Sequence, residues 1–309
     1  KFIIERINIA GNNVTNDSVI RGEMLVDEGD PFSALLVNKS VNKLRARDIF
    51  GAVEAKVAPG SSSDLRILEI AVEEKATGEI SAGAGIGTDG TAIMFAVREN
   101  NWLGRGIQLQ SSIDLSAETL RGSIAATNPN YNFSGNAISG SLSVASTDMT
   151  DSAGYTSSRT GFSLGTKFEQ YENVFLSTDL SVVHEDIEVK HNATTALKKM
   201  DGTFSNIDFS YGIIVDRRNQ VFKPTAGYRA RFIQSLPIIQ DMSSFLNGLD
   251  LSFYHGISDD VIGTVKFYGR TIHGVDDDVR LTNRIYMPAT KLRGFNTRKI
   301  GPKDGDDFV

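Results

Sequence analysis

Residues 107–115 read Ile107-Gln108-Leu109-Gln110-Ser111-Ser112-Ile113-Asp114-Leu115. In an extended chain Ile107, Leu109, Ile113 and Leu115 fall on one face, and Gln108, Gln110, Ser112 and Asp114 on the other. That is the period of two expected of a strand with one apolar and one polar side. The pattern recurs downstream. Val174, Leu176, Leu180 and Val182 oppose Ser177, Asp179 and Ser181, and over 207–215 the polar side takes Asp208, Ser210 and Gly212. Leu249, Leu251, Phe253 and Ile257 oppose Asp250, Ser252 and Tyr254; Val261, Val265 and Phe267 oppose Thr264, Lys266 and Arg270. Eleven such strands are expected, at roughly 78–87, 91–99, 106–116, 119–127, 137–148, 156–169, 173–189, 203–216, 227–236, 245–257 and 261–273.

Upstream of residue 78 the period changes. Residues 2–9 (FIIERINI) read as a strand, Gly11-Asn12-Asn13 as a turn, and Thr15-Asn16-Asp17 as caps for a helix over 18–26. Gly29-Asp30-Pro31 ends that helix. Ser33 caps a second one reaching to about Phe50, with Leu36, Val37, Val41, Leu44 and Ile49 near helical spacing. Strands at 52–58 and 65–73 follow, separated by the polar turn 59–64. The first 77 residues are therefore expected to form an α+β domain of order β-α-α-β-β.

Composition narrows the function classes. The 309 residues suffice for two domains. There is no cysteine, which excludes a disulfide framework and a Cys-ligated zinc site. A net charge of −6 argues against a nucleic-acid surface. No run approaches the ~18 apolar residues of a membrane-spanning helix, but alternating strands cross a membrane with only every second residue facing lipid. A soluble β-sandwich with one wet face is the competing reading. Against it, the polar sides keep Ser, Gly, Gln and charged residues over long strands, as a water-filled lumen requires, while the other sides carry Leu, Ile, Val, Phe and Ala suited to lipid.

A spanning sheet must close, because edge N–H and C=O groups facing lipid cost several kcal/mol each. Bacterial single-chain barrels have even strand counts, so an odd count predicts further strands beyond this sequence. Lys1 opens no signal peptide, so the chain is expected to begin inside a longer precursor. If residues 1–77 are periplasmic, alternate turns lie on the same side: 100–105, 128–136, 170–172, 217–226 and 258–260. The polar stretch 191–201 and the loop after Gly274 then face outward.

Four motifs follow that order. Asn100-Asn101-Trp102-Leu103-Gly104-Arg105-Gly106 and Asn128-Pro129-Asn130-Tyr131 are turns, as is the run from Asp216-Arg217-Arg218-Asn219 to Pro224-Thr225-Ala226-Gly227. Leu292-Arg293-Gly294-Phe295, then Ile300-Gly301-Pro302, follow the eleventh strand. Together with the β-α-α-β-β unit, these resemble the BamA superfamily of bacterial surface antigens over nearly the whole chain. The resemblance implies a POTRA domain at 1–77, the last before the barrel, and a partial transmembrane β-barrel at 78–309, with eleven of about sixteen strands present. It implies that Leu292, Arg293, Gly294, Phe295, Ile300, Gly301 and Pro302 form a loop that folds back into the lumen. Arg293 would there pair with a carboxylate on a later strand, beyond Val309, to which its planar fork is suited.

For function, the resemblance implies the central component of the machinery that folds and inserts barrel proteins into the bacterial outer membrane. Its partners would be unfolded outer-membrane clients, accessory outer-membrane lipoproteins reached through POTRA, and outer-membrane lipid. It implies neither enzyme activity nor cofactor. The strand with Gly83, Gly85 and Gly87 would lie at the barrel seam, its glycines weakening cohesion. A protein-exporting barrel of the two-partner-secretion type and a diffusion porin are the alternatives.

Sharper chemical readings fit less well. Gly85 to Gly90 matches the dinucleotide pattern GxGxxG, but that motif must open a helix and 91–99 alternates as a strand. His184, His191, His255 and His273 lack metal-ligand spacing. The acidic groups Asp276 to Asp278 and Asp304, Asp306 and Asp307 read as solvated loops rather than calcium ligands.

Overall fold

A computed structural model describes residues 2–87, 90–150, 154–191, 195–221, 223–258, 260–275, 278–287, 291–292, 303–304 and 307–308. β1 (Ile3–Ala10), α1 (Asp17–Arg21), α2 (Ala34–Ala46), β2 (Phe50–Pro59) and β3 (Leu65–Glu74) realise the β-α-α-β-β order. β3 is central in the sheet order β1-β3-β2, parallel to β1 and antiparallel to β2. α2 carries Val37, Val41 and Leu44 into a core with Ile4, Ile20 and Leu68. Ser33 caps it, its Oγ accepting from Leu36 N at 3.4 Å.

Both helices are shorter than their sequence patterns. α1 stops at Arg21 rather than reaching Val26. Glu23 N and Met24 N turn to Ile20 O and Arg21 O in tighter i→i−3 bonds, and the N–H of Leu25 then donates to Ser40 Oγ of α2 at 2.8 Å. α2 stops at Ala46, not near Phe50, because Arg47 N and Asp48 N make tighter i→i−3 bonds and Asp48 turns left-handed at φ 58°.

β3 ends on a carboxylate that organises the loop after β1. Glu74 accepts from the backbone N–H groups of Asn13 (2.9 Å), Val14 (2.9 Å) and Thr15 (2.6 Å). Burial pushes its pKa up, but the hydrogen bonds from Thr15, Val14 and Asn13 outweigh burial and hold it below the ordinary 4.5.

The remaining strands are β4 (Gly78–Gly87), β5 (Gly90–Trp102), β6 (Ile107–Ser116), β7 (Thr119–Tyr131), β8 (Asn136–Met149), β9 (Tyr155–Tyr171), β10 (Val174–Val189), β11 (Gly202–Asp216), β12 (Gly227–Gln240), β13 (Ser244–Gly256) and β14 (Ile262–Gly274). All eleven lie in one sheet in sequence order. β10 pairs antiparallel along its length with β9 and β11. The glycines of the GxGxxG match fall in β4 and at the start of β5, so no helix follows them. Two turns are tighter than their sequence ranges, since β5 continues to Trp102 and β7 to Tyr131.

Contacts divide the chain into two compact units. One holds Lys1–Ser81, Ala96–Ser111 and Ala125–Ser139; the other holds Ala82–Phe95, Ser112–Ile124 and Gly140–Val309. In the second unit burial is inverted. Leu180, Val182, Phe162, Leu164, Phe253 and Phe267 share the apolar face and are 43–54 % exposed. A sandwich would cover that face; among the described residues nothing does, as suits a lipid-facing surface. One polar ladder interrupts it. Tyr211 Oη donates to Gln234 (2.7 Å), Gln234 to Asn247 (2.5 Å) and Asn247 to Thr271 (3.3 Å), so these groups satisfy one another across four strands.

The expected polar loop at 191–201 is different in kind. α3 (Thr195–Lys198) lies in it, and Leu197 and Met200 are buried with Tyr155, Ile187 and Phe204 as a second small core. Their spacing of three is a helical signal inside a polar stretch.

Glu74 sets a pH dependence. A carboxylate whose folded pKa is lowered stabilises above its unfolded value and loses that contribution as pH falls through the folded one. Glu74→Gln is expected to cost the N-terminal unit about 1 kcal/mol at pH 7, the low end for charge-assisted bonds at a partly solvated site. The deficit should shrink progressively as pH falls below 4.5 towards the lowered folded pKa and wild type protonates. Urea denaturation at pH 7 and pH 3 checks this.

Candidate functional site

β4 is an edge of the eleven-stranded sheet. Its sequence alternates fully: Ile80, Ala82, Ala84 and Ile86 on one side, Glu79, Ser81, Gly83, Gly85 and Gly87 on the other. Ile80 and Ile86 are strongly exposed. A Cβ at Gly85 would meet no atom within 4 Å, and one at Gly83 only Met94 Cε at 4.0 Å. Crowding thus does not require glycine here. Three glycines on one face leave it without cross-strand side-chain contacts, the usual source of cohesion between strands.

Two turns do more than reverse the chain. Between β5 and β6 the backbone turns left-handed at Leu103, Gly104 and Gly106. Asn101 is the keystone of this turn. Its Oδ1 accepts from Gly106 N (2.7 Å) and its Nδ2 donates to Thr15 Oγ1 (2.9 Å) in the loop after β1. Asn16 N donates to Gly104 O at 2.8 Å, and a Cβ on Gly104 would stand 2.1 Å from Val14 O. Close approach of two backbones therefore demands glycine at 104. The turn between β7 and β8 repeats the device. Asn130 Nδ2 donates to Gly22 O (2.8 Å) and Glu23 Oε1 (3.2 Å), while its Oδ1 accepts from Gly135 N (2.8 Å).

A buried charge cluster joins both turns to the helices. Glu23 is 5 % exposed and lies 3.5 Å from both Arg47 and Lys43. Arg47 also donates to Gly106 O at 2.7 Å. Burial pushes the Arg47 pKa down and Glu23 only partly offsets it, yet a guanidinium stays charged. Glu23 and Arg47 had no signal in the sequence: each is an ordinary charged residue near a helix.

The turn between β11 and β12 is closed by its own side chains, and Arg218 also reaches Tyr254 of β13. Asp216 binds Arg218 through two bonds, at 2.8 Å and 2.6 Å, while Arg217 contributes its N–H to Tyr228 O. Asn219 Oδ1 accepts from Thr225 N and Ala226 N. Gly227 has φ 95°, and a Cβ there would lie 2.1 Å from Arg217 O. Pro224 lies in the same turn. Asp216, Thr225 and Gly227 lie in this one turn, and the side chain that binds Asp216 is Arg218, not Arg217. Of the loop motif after β14, Leu292 is exposed; Arg293, Gly294, Phe295, Ile300, Gly301 and Pro302 lie outside the described residues.

Comparisons with known proteins agree with this geometry. Residues 101–309 match the Omp85 superfamily domain, and residues 2–75 match the POTRA family, described as a surface antigen variable number repeat. The chain is 25 % identical over 315 aligned positions to the outer membrane protein assembly factor BamA of Neorickettsia risticii, covering 98 % of this chain and 42 % of that protein. The chain thus spans less than half the length of that relative. In fold it is similar to the crystal structure of BamA from Haemophilus ducreyi lacking POTRA domains 1–3, with TM-score 0.79, 22 % identity, and coverage of 97 % of this chain and 61 % of that one. It is also similar to CdiB from Acinetobacter baumannii, with TM-score 0.60, 12 % identity, and coverage of 95 % and 56 %.

Asn101→Ala leaves Gly106 N–H and the Thr15 hydroxyl without their partner. It is expected to cost about 1–3 kcal/mol in thermal unfolding of the first unit, with Gly104→Val costing at least as much through the clash and the left-handed φ. A change below about 0.5 kcal/mol for either would count against the keystone role.

Proposed function

The chain belongs to the Omp85 superfamily and is of the BamA type, and from that membership we propose that the intact protein is the central component of the outer-membrane β-barrel assembly machinery. It is an outer-membrane protein whose POTRA unit lies in the periplasm. On this reading residues 1–77 are the last POTRA domain and 78–309 belong to the barrel, with the loop after β14 folding inward. Clients are unfolded outer-membrane proteins, and accessory lipoproteins engage the POTRA unit. No bond is hydrolysed; folding of the client supplies the free energy.

The observation that carries the reading is the composition of β4, apolar on one side and glycine on the other. Such a strand holds weakly to a seam partner and offers its N–H and C=O groups to a client strand by β-augmentation. The lipid-facing side, Ile80, Ala82, Ala84 and Ile86, keeps the nascent hairpin in register with the membrane. Asp216, Pro224, Thr225 and Gly227 build a stiff turn of the wall, and Arg293 tethers the inward loop. The likeness to CdiB supports a second reading, export of a dedicated partner through the lumen.

The full-length protein in liposomes should accelerate folding of an unfolded barrel client, read by its heat-modifiable gel shift. Arg293→Ala should abolish most of the acceleration with the barrel still formed. Gly85→Val, which has room for its side chain, should slow insertion about two- to tenfold by tightening strand cohesion. No acceleration by wild type, together with export of a partner protein, would replace assembly by secretion.

A further inference from the structure

The most deeply buried charge of the second unit belongs to none of the motifs. Arg280 follows β14 by six residues (280 − 274) and is 0 % exposed. Its Nη1 donates to Glu185 Oε2 at 3.1 Å and its Nη2 to Asn206 Oδ1 at 3.0 Å. Thr282 Oγ1 donates to the same Glu185 oxygen at 3.0 Å. The guanidinium carbon lies 4.2 Å from the centre of the Phe204 ring. Glu185 and Asn206 are themselves buried. Arg280 O in turn accepts from Asn283 N (2.9 Å) and Arg284 N (3.2 Å), so the segment folds as a short turn around this residue.

The topology makes the contact informative. Glu185 belongs to β10 and Asn206 to β11, and β12 and β13 separate them from β14. Four strand spacings come to about 19 Å, while six residues reach at most about 20 Å. Arg280 therefore lies back over the sheet, within six residues of the end of β14. It does so on the polar face: Glu185 alternates with Ser177, Asp179 and Ser181 along β10, and Phe204 stands opposite it on β11. A planar, permanently charged fork suits three simultaneous partners, a carboxylate, an amide and an aromatic ring, as a lysine would not.

We propose that Arg280 is a positioning residue, a latch that pins the root of the inward loop to the wall formed by β10 and β11. It fixes where the loop starts, twelve residues (292 − 280) before Leu292-Arg293-Gly294-Phe295, and does so independently of Arg293. The inward course of the loop and the consequence for client insertion rest on the reading above; the hold of Arg280 on β10 and β11 does not.

The test is hydrogen–deuterium exchange on the full-length protein folded in detergent, comparing wild type with R280M, E185Q and the swap R280E/E185R. Exchange in the peptide spanning 278–292 should quicken about tenfold in each single variant, stay confined to that peptide, and return to within about threefold of wild type in the swap. Unchanged exchange in both single variants overturns the latch. So does acceleration spread equally through β10 and β11, the mark of simple wall packing, and so does a swap without recovery. Should the single variants fail to give the folded, heat-modifiable band, R280M/E185M, which leaves no buried charge unpaired, carries the same expectation for the peptide. Client folding measured on the same samples separates the two ideas. If wild type accelerates the client, the single variants should lose the gain and the swap regain it. If wild type does not, the assembly reading falls while the exchange result still decides the latch.

Discussion

Every peptide group that faces lipid must find its hydrogen-bond partner within the protein, because the hydrocarbon offers none. The eleven-stranded sheet is the response to that constraint, and its form follows from it. Strands pair with their sequence neighbours in one unbroken order, so each N–H and C=O of an interior strand is matched close to where the chain was just laid down. β4 stands apart from the other strands in carrying three glycines on one side. Its pairing depends on backbone bonds with little side-chain support, a combination suited to exchange of partners.

With the backbone satisfied, the two faces are free to differ. The apolar face keeps large side chains uncovered, and where polar groups occur there, in the ladder from Tyr211 to Thr271, they bond to one another. The polar face follows the opposite logic. Serines pair across strands at Ser112–Ser123 and Ser141–Ser163, Arg270 pairs with Asp250, and Arg280 is desolvated only where Glu185, Asn206 and Phe204 enclose it. Buried charge is tolerated because its partners are already in place on a rigid ladder.

The first unit solves a different problem, how turns bind a folded α/β layer. It does so with two asparagines, Asn101 and Asn130, each closing its own turn with the carbonyl and reaching outward with the amide. An asparagine side chain carries both acceptor and donor, so one residue can shape a turn and dock it. Gly104 allows backbone to meet backbone at that contact.

The strands could be read directly along the chain. Alternation is local, and each apolar–polar run ended within a few residues of the observed strand, with β4 matching end to end. The β-α-α-β-β order and the turn motifs were legible for the same reason, since glycine, proline and asparagine act on their own neighbours. Helix ends were less so: the chain after α1 is held by a bond from Leu25 to Ser40 that spans 15 residues. The short core of Leu197 and Met200 was hidden in a polar stretch. The partners of polar side chains emerged only in the folded chain. Asn101 finds Thr15 across 86 residues, Asn130 finds Gly22 across 108, and Arg280 finds Glu185 across 95. No periodicity encodes those pairs, because they are set by which strand ends the sheet brings together and not by anything along the chain.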